Sequence, residues 1–239
     1  MNIFVLGPAG SGKSLFIKNF SAYLSSEGYR IKIVNLDPGV LDTGYRPDFD
    51  VKSMFTIESI MRERNLGPNG AILEAMDRLA KIGLPKFREA DYIFFDTPGQ
   101  LEPFLFRDTG RRIIGNFEDR CCLFLGDLPA LRGNLVSFYL YALTAYYTLE
   151  TDTIAVLNKI DLLSNKEIED IKEAIENPIN ISTRRPVNLR EEMDIELLKA
   201  LSAFFPPKRV PLISAKTGIG FEDILTILYE IKCACGDLT

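Results

Sequence analysis

Three glycines, a lysine and a serine in the run Gly7-Pro8-Ala9-Gly10-Ser11-Gly12-Lys13-Ser14 have the types and spacing to hold a chain of phosphates. Glycine lets successive backbone N–H groups turn inward on one anion. An apolar stretch, Asn2–Leu6, precedes the run, and a helical pattern opens near Leu15, so a helix N-terminus faces the same anion. Gly10, Ser11, Gly12, Lys13, Ser14 and Leu15 are the expected phosphate contacts. Lys13 is suited to bridge the β- and γ-phosphates, and the Ser14 hydroxyl to coordinate Mg²⁺. The arrangement predicts a bound nucleoside triphosphate.

The base is read further along. Thr153–Leu157 runs into Asn158-Lys159-Ile160-Asp161. A carboxylate at Asp161 accepts from the N1–H and 2-amino group of guanine, whereas adenine leaves it desolvated and unpaired. Asn158 is placed for the other base edge and the Lys159 stem for the ring. In Ser214-Ala215-Lys216 a backbone N–H is expected to reach guanine O6. GTP and GDP are therefore the predicted ligands.

Two further turns bring carboxylates to the site. In Asp96-Thr97-Pro98-Gly99-Gln100, Asp96 is expected to hold Mg²⁺ through a water. Gly99 is expected to offer its N–H to the γ-phosphate, and Gln100 to stand beside the attacking water. Asp37-Pro38-Gly39 leaves two readings open for Asp37: a turn that stops a strand, or a role at the metal or the attacking water. Ser14, Asp37 and Asp96 are thus the metal candidates.

These turns need a scaffold. Apolar, β-branched runs at Asn2–Leu6, Ile31–Leu36, Tyr92–Phe95, Cys121–Leu125, Thr153–Leu157 and Val210–Ile213 read as strands buried on both faces. Helical patterns cover Leu15–Ser25, Leu135–Leu149, Lys166–Glu176, Glu191–Phe204 and Phe221–Lys232. Strand alternating with helix predicts a doubly wound, mostly parallel α/β sheet of the P-loop kind, in one domain over residues 1–239. Pro38–Ala90 is too long for a simple crossover and reads as an insertion with helices at Ser53–Arg64 and Asn69–Ile82. Gly67-Pro68-Asn69-Gly70 parts them, with Asn69 read as the cap of the second. Asn177–Arg190 reads as a mobile polar loop.

Composition narrows the chemistry. Histidine is absent, which excludes imidazole catalysis and histidine-bound zinc. A net charge of −5 leaves no basic surplus for nucleic acid, so none is expected to bind directly. Cys121-Cys122 point to opposite faces of a strand, and Cys233 and Cys235 lack partner ligands, so all four read as reduced thiols. Gly133–Leu149 is uncharged but slightly short for a membrane span, and fits a core or interface helix instead. Without a secretory leader, the expected location is the cytoplasm and no membrane partner is predicted.

The run Gly7–Ser14, Asp37-Pro38, Gly67-Pro68-Asn69, Asp96–Gln100, Asn158–Asp161 and Ser214-Ala215 occur in the order of the GPN-loop GTPases, and the chain resembles that family over essentially its whole length. The resemblance implies a dimerisation-activated GTPase, a homodimer in which the Gly67-Pro68-Asn69 loop of each subunit enters the other's site. Asn69 would then act in trans on the phosphates or lytic water, and Gln100 and Glu102 would arrange that water. It also implies assembly clients, RNA polymerase among them. Two other activities fit the motifs alone: a P-loop kinase that passes the γ-phosphate to a small molecule or polynucleotide end, and a module that holds GTP without turnover.

Overall fold

The protein is seen here as a computed structural model describing residues 1–87, 90–131, 134–176, 188–204 and 209–236. The loop expected over Asn177–Arg190 falls outside the described residues as far as 187; Asn188 then caps a helix, its side chain accepting from the Glu191 N–H.

Seven strands form one sheet in the order β3-β2-β4-β1-β5-β6-β7, all parallel. They are β1 (Asn2–Leu6), β2 (Ile31–Asn35), β3 (Phe49–Asp50), β4 (Tyr92–Asp96), β5 (Arg120–Asp127), β6 (Thr153–Asn158) and β7 (Leu212–Ile213). Six were expected. The seventh, β3, is a two-residue edge strand inside the insertion, too short to leave a periodic signal.

Side chains alternate across the sheet, as a two-residue period demands. Ile3, Val5, Tyr92, Phe94, Cys121, Leu123 and Leu125 face one core; Phe4, Leu6, Ile93, Phe95, Cys122 and Phe124 face the other. The first core is closed by α1 (Lys13–Ser26) and the last helix, α10 (Phe221–Gly236), through Phe16, Phe20, Phe221 and Ile224. On the opposite face lie α3 (Pro68–Ile82), α4 (Glu102–Leu105), α5 (Asp108–Gly115), α6 (Leu128–Leu131), α7 (Leu135–Leu149), α8 (Asn165–Glu176) and α9 (Leu189–Ser202). Cys121 and Cys122 are free thiols, one in each core, and burial pushes both above the ordinary cysteine value. Helix α7 buries Leu135, Phe138, Tyr139, Ala142 and Ala145 in the second core. Among the described residues, no helix is long and apolar enough to cross a membrane.

The insertion departs from expectation at its start. The predicted helix Ser53–Arg64 is a single 3₁₀ turn, Val51–Ser53, followed by α2 (Ile57–Arg64), because Thr56 and Ser59 form a capping box that starts α2 afresh. Helices α2 and α3 share a small core of Ile57, Ile60, Ala71 and Ala75. Arg78 ties them together, bonding Glu63 at 2.8 Å and Glu74 at 2.9 Å. Met76 and Leu79 anchor α3 to the main core. The Gly67-Pro68-Asn69 turn therefore projects from a braced helical hairpin.

Strand register gathers the polar residues. Asn35 lies opposite both Asp50 and Asp96, and Asp127 lies opposite Asn158. Each sits where its strand ends, so these polar residues gather on one rim of the sheet. In open α/β sheets, ligands bind outside the carboxyl ends of the strands.

Candidate functional site

The loop after β1 turns through Gly7 (φ 144°), Gly10 (φ 80°) and Gly12 (φ 93°), all in the left-handed range. At Gly7 a Cβ would stand 2.4 Å from the Leu125 carbonyl oxygen, so no other residue fits. Gly12 serves as the N-cap of α1 without a side-chain bond, and the first turn of the helix holds no carboxylate. Its leading amides therefore have no built-in acidic side chain to accept from them, which suits an anion from outside. Ser11 is fully buried and its hydroxyl has no hydrogen-bond partner among the described residues. The loop thus fits a polyphosphate. Lys13 Nζ donates to its own loop, to Gly7 O at 2.9 Å and Pro8 O at 3.2 Å. Burial pulls its ammonium below the ordinary lysine value, and Asp96 and Asp37 oppose that pull.

Asp96 ends β4 only 3% exposed. Burial raises its carboxyl above the usual range, while hydrogen bonds from Ser14 and Tyr45 and the charge of Lys13 work against the rise. Tyr45 donates to Asp96 Oδ2 at 2.7 Å. Ser14, Asp96 and Lys13 thus converge, with Asp37 close enough to act on both charges. Asp37 Oδ1 accepts from the Gly39 N–H at 2.8 Å, which is the turn reading of that residue. That bond engages Oδ1, so the metal-facing reading rests on Oδ2. Hydroxyl and carboxylate oxygens are hard donors that fit Mg²⁺. Among the described residues no group of three or more His, Cys, Asp or Glu could hold a metal by itself. Mg²⁺ usually binds through one or two carboxylates plus the substrate's phosphates, and this donor set fits that habit. Gly99 lies against the loop: a Cβ there would reach Ala9 at 3.5 Å and Lys13 Nζ at 3.8 Å.

The base-reading turns are locked to the phosphate loop by one side chain. Asn158, 1% exposed, donates Nδ2 to Ser11 O at 2.8 Å and accepts at Oδ1 from Ala215 N at 2.9 Å and Lys159 N at 2.8 Å. At most one of its N–H bonds is left for a base, so the expected edge contact is secondary to a bracket. The Ala215 N–H is likewise spent on Asn158, so within Ser214-Ala215-Lys216 it is not the amide available to guanine O6. Asn19 of α1 holds Ala215 from the other side, donating to its carbonyl at 2.7 Å. Ser214 donates to Asp161 Oδ1 at 2.6 Å and so fixes the carboxylate, with Oδ2 left free of that bond. Lys159, at φ 73°, bonds Asp127 Oδ2 at 2.6 Å, which steers its stem.

The chain matches, over residues 5–234, the family described as "Conserved hypothetical ATP binding protein". It is 37% identical to a GPN-loop GTPase of the archaeon Pyrococcus abyssi, with all of both chains covered. It is 32% identical to GPN-loop GTPase 3 of Saccharomyces cerevisiae, over 68% of this chain and 64% of the relative. GPN-loop GTPase 1 of Dictyostelium discoideum is 27% identical over 93% of this chain, which spans only 59% of that relative. The crystal structure of the Pyrococcus abyssi GTPase in its apo form superposes with a TM-score of 0.85 at 36% identity, covering 98% of each chain. This chain belongs to the GPN-loop GTPases. It is a GTP hydrolase on a P-loop fold. The family description names ATP, but the relatives are GTPases, and the fixed Asp161 carboxylate agrees with them.

The loop that gives these GTPases their name does not behave as a cap. Gly67 is the N-cap of α3, Pro68 opens the first turn and Asn69 follows it, so the capping role read for Asn69 is wrong. Asn69 instead accepts, at Oδ1, from Gln100 Nε2 of the same chain at 3.3 Å; both side chains are exposed. Glu102 opens α4 and is also exposed.

Four functional residues escaped the sequence reading. Asn35 is fully buried and accepts from the Asp37 N–H at 3.0 Å, which sets the Asp37 turn. Its signal was present, as a lone asparagine ending an apolar strand. Asp127 had a similar signal at the end of β5. Tyr45 and Asn19 had none, since one lies in a polar connection and the other in a regular helix.

Proposed function

We propose that this GTPase is Mg²⁺-dependent and works as a homodimer whose shape follows its nucleotide, so that GTP and GDP set its affinity for a client protein. The observation that carries the nucleotide reading is the Asn158 bracket, which fixes the grip on the phosphates relative to the reader of the purine. On binding, the amides of Gly10–Leu15 donate to the phosphate oxygens. Lys13 exchanges its loop carbonyls for the β- and γ-phosphates. Ser14, Asp96 and Asp37 would hold Mg²⁺, which neutralises charge on the β- and γ-oxygens. Gln100 and Glu102 orient the water.

Three features support a second copy at this rim. Gln100, Glu102 and Asn69 are all exposed, whereas a hydrolytic site must exclude bulk water. Leu41 (95% exposed), Phe106 (60%) and Leu66 project from connections around the same rim. Helix α3 begins with neither a side-chain cap nor a carboxylate in its first turn, which suits an anion carried by a neighbour. In the dimer the Asn69–Gln100 contact within one chain gives way to Asn69 acting on the partner's nucleotide.

Mixing tests this reading. Asn69→Ala and Lys13→Ala proteins are each expected to release phosphate far more slowly than wild type; together they form heterodimers with one complete site. Recovery of phosphate release above either alone is the expected result. No recovery, with mixed dimers verified by tagged pull-down, removes the trans role.

A further inference from the structure

Asp96 draws its phenolic partner from a distance of 51 residues in sequence. Tyr45 lies in the connection between β2 and β3, and that connection is built to present it. Gly44, at φ 71°, donates its N–H to Asp42 Oδ1 at 2.8 Å, and Thr43 Oγ1 donates to the Tyr45 carbonyl at 2.6 Å. Beyond the turn, Asp48 pairs twice with Ile33 of β2, at 2.7 and 2.8 Å. Before it, Lys52 Nζ reaches back to Val40 O at 3.0 Å. The Tyr45 ring packs on the core beneath α1, so its hydroxyl is delivered from a fixed side.

We propose that Tyr45 is a positioning residue for the metal carboxylate: its hydroxyl engages Asp96 Oδ2, turns Oδ1 toward the metal position beside Ser14, and makes the 38–48 connection part of the metal site. The inference rests on the Mg²⁺ reading above. A carboxylate with one oxygen pinned has one way to face an ion, so less ordering is left for the binding step. Hydrogen-bonded neighbours of metal-binding groups orient them in this way, and losing one typically weakens metal binding 10- to 100-fold. The same bond carries the coupling outward. Asp37 opens the connection that Tyr45 anchors, so any displacement of Asp96 is felt at Asp37 as well.

The test is Tyr45→Phe, which keeps the ring and its packing. A fluorescent GDP analogue is titrated in EDTA and again across a Mg²⁺ series, and backbone hydrogen exchange of residues 38–48 is followed without nucleotide. The expected result is an affinity in EDTA within twofold of wild type, a half-saturating Mg²⁺ concentration raised about tenfold, and faster exchange over 38–48. Faster exchange with an unchanged Mg²⁺ requirement makes Tyr45 a strut for the loop and overturns the proposal. An equal loss of affinity in EDTA overturns it too, by placing the effect on the nucleotide. A wild-type protein indifferent to Mg²⁺ takes down the metal reading and this inference together, a result distinct from the other two.

Discussion

Two stretches of the same rim are built to different standards. Around Gly7–Ser14, Asn158–Asp161 and Ser214-Ala215 the key side chains are held in place: Asn158 joins three backbone groups, Asn19 and Ser214 secure the turn beyond, and Lys13 is 7% exposed. Around Asn69, Gln100 and Glu102 the side chains stand in solvent, joined by one 3.3 Å contact. The first region is preorganised to recognise a ligand. The second is open to solvent, and in the proposed dimer it reaches working geometry only when a second copy arrives, which would separate binding GTP from hydrolysing it.

Breaking the bracket gives the largest effect. Asn158→Ala leaves Ser11 O and Ala215 N buried without partners, at about 1–3 kcal/mol each. GTP affinity should fall at least 100-fold in an equilibrium binding assay, and the melting temperature should fall with it. A variant that binds GTP normally would show that the two turns hold their places without Asn158.

Asp161→Asn sharpens the comparison from within the ordered region. Guanine then faces an amide instead of a carboxylate, while Ser214 still has an oxygen to donate to. GTP affinity should drop on the order of 100-fold and xanthosine triphosphate affinity should rise, because a site built to pair with a particular group rejects the analogue lacking it. Parallel changes in both affinities would place the purine elsewhere.

The exposed region should respond differently. Gln100→Ala and Asn69→Ala are expected to lower the turnover number about 10- to 100-fold while GTP affinity stays within twofold, since neither residue belongs to the bracket. Steady-state phosphate release beside equilibrium binding separates the two quantities. A large loss of affinity in either variant would mean that the exposed rim also takes part in recognition.

The same division decides what the sequence revealed. Gly7–Ser14 and Asn158–Asp161 were legible because one ligand dictates type and spacing over a few consecutive residues. The alternating cores were legible because buried strands such as Ile3-Phe4-Val5-Leu6 must be apolar on both faces. Contacts joining distant segments left no local trace. Tyr45 on Asp96 and Asn19 on Ala215 depend on how loops and helices are laid down, and a tyrosine in a polar loop carries no period. Asn69 misled for a related reason: Gly-Pro-Asn resembles a capping turn, yet proline at the first helical position moves the cap back to Gly67. Helices α4, α5 and α6 were missed as well, since two of them span only four residues.

Asp96 lies where the two regions meet, and it supplies the smallest effect, with a sign opposite to the others. Its carboxyl is held above the ordinary range chiefly by burial, so its ionised form costs the nucleotide-free fold. Asp96→Asn removes that charge and keeps the shape. The nucleotide-free variant should therefore melt about 2–4 °C higher than wild type at pH 7.5 for each kcal/mol recovered, while Mg²⁺-dependent GDP retention weakens. A carboxyl whose folded value is raised contributes stability below its unfolded value, about 3.9, and loses that contribution as pH rises through the folded value. The advantage of the variant is thus greatest above the raised value of Asp96 and shrinks as pH is lowered through it. Scanning calorimetry of both proteins between pH 5 and pH 8 reads the difference. A variant that melts lower at every pH would mean that the bonds from Ser14 and Tyr45 outweigh the cost of burial, and that Asp96 supports the fold rather than straining it.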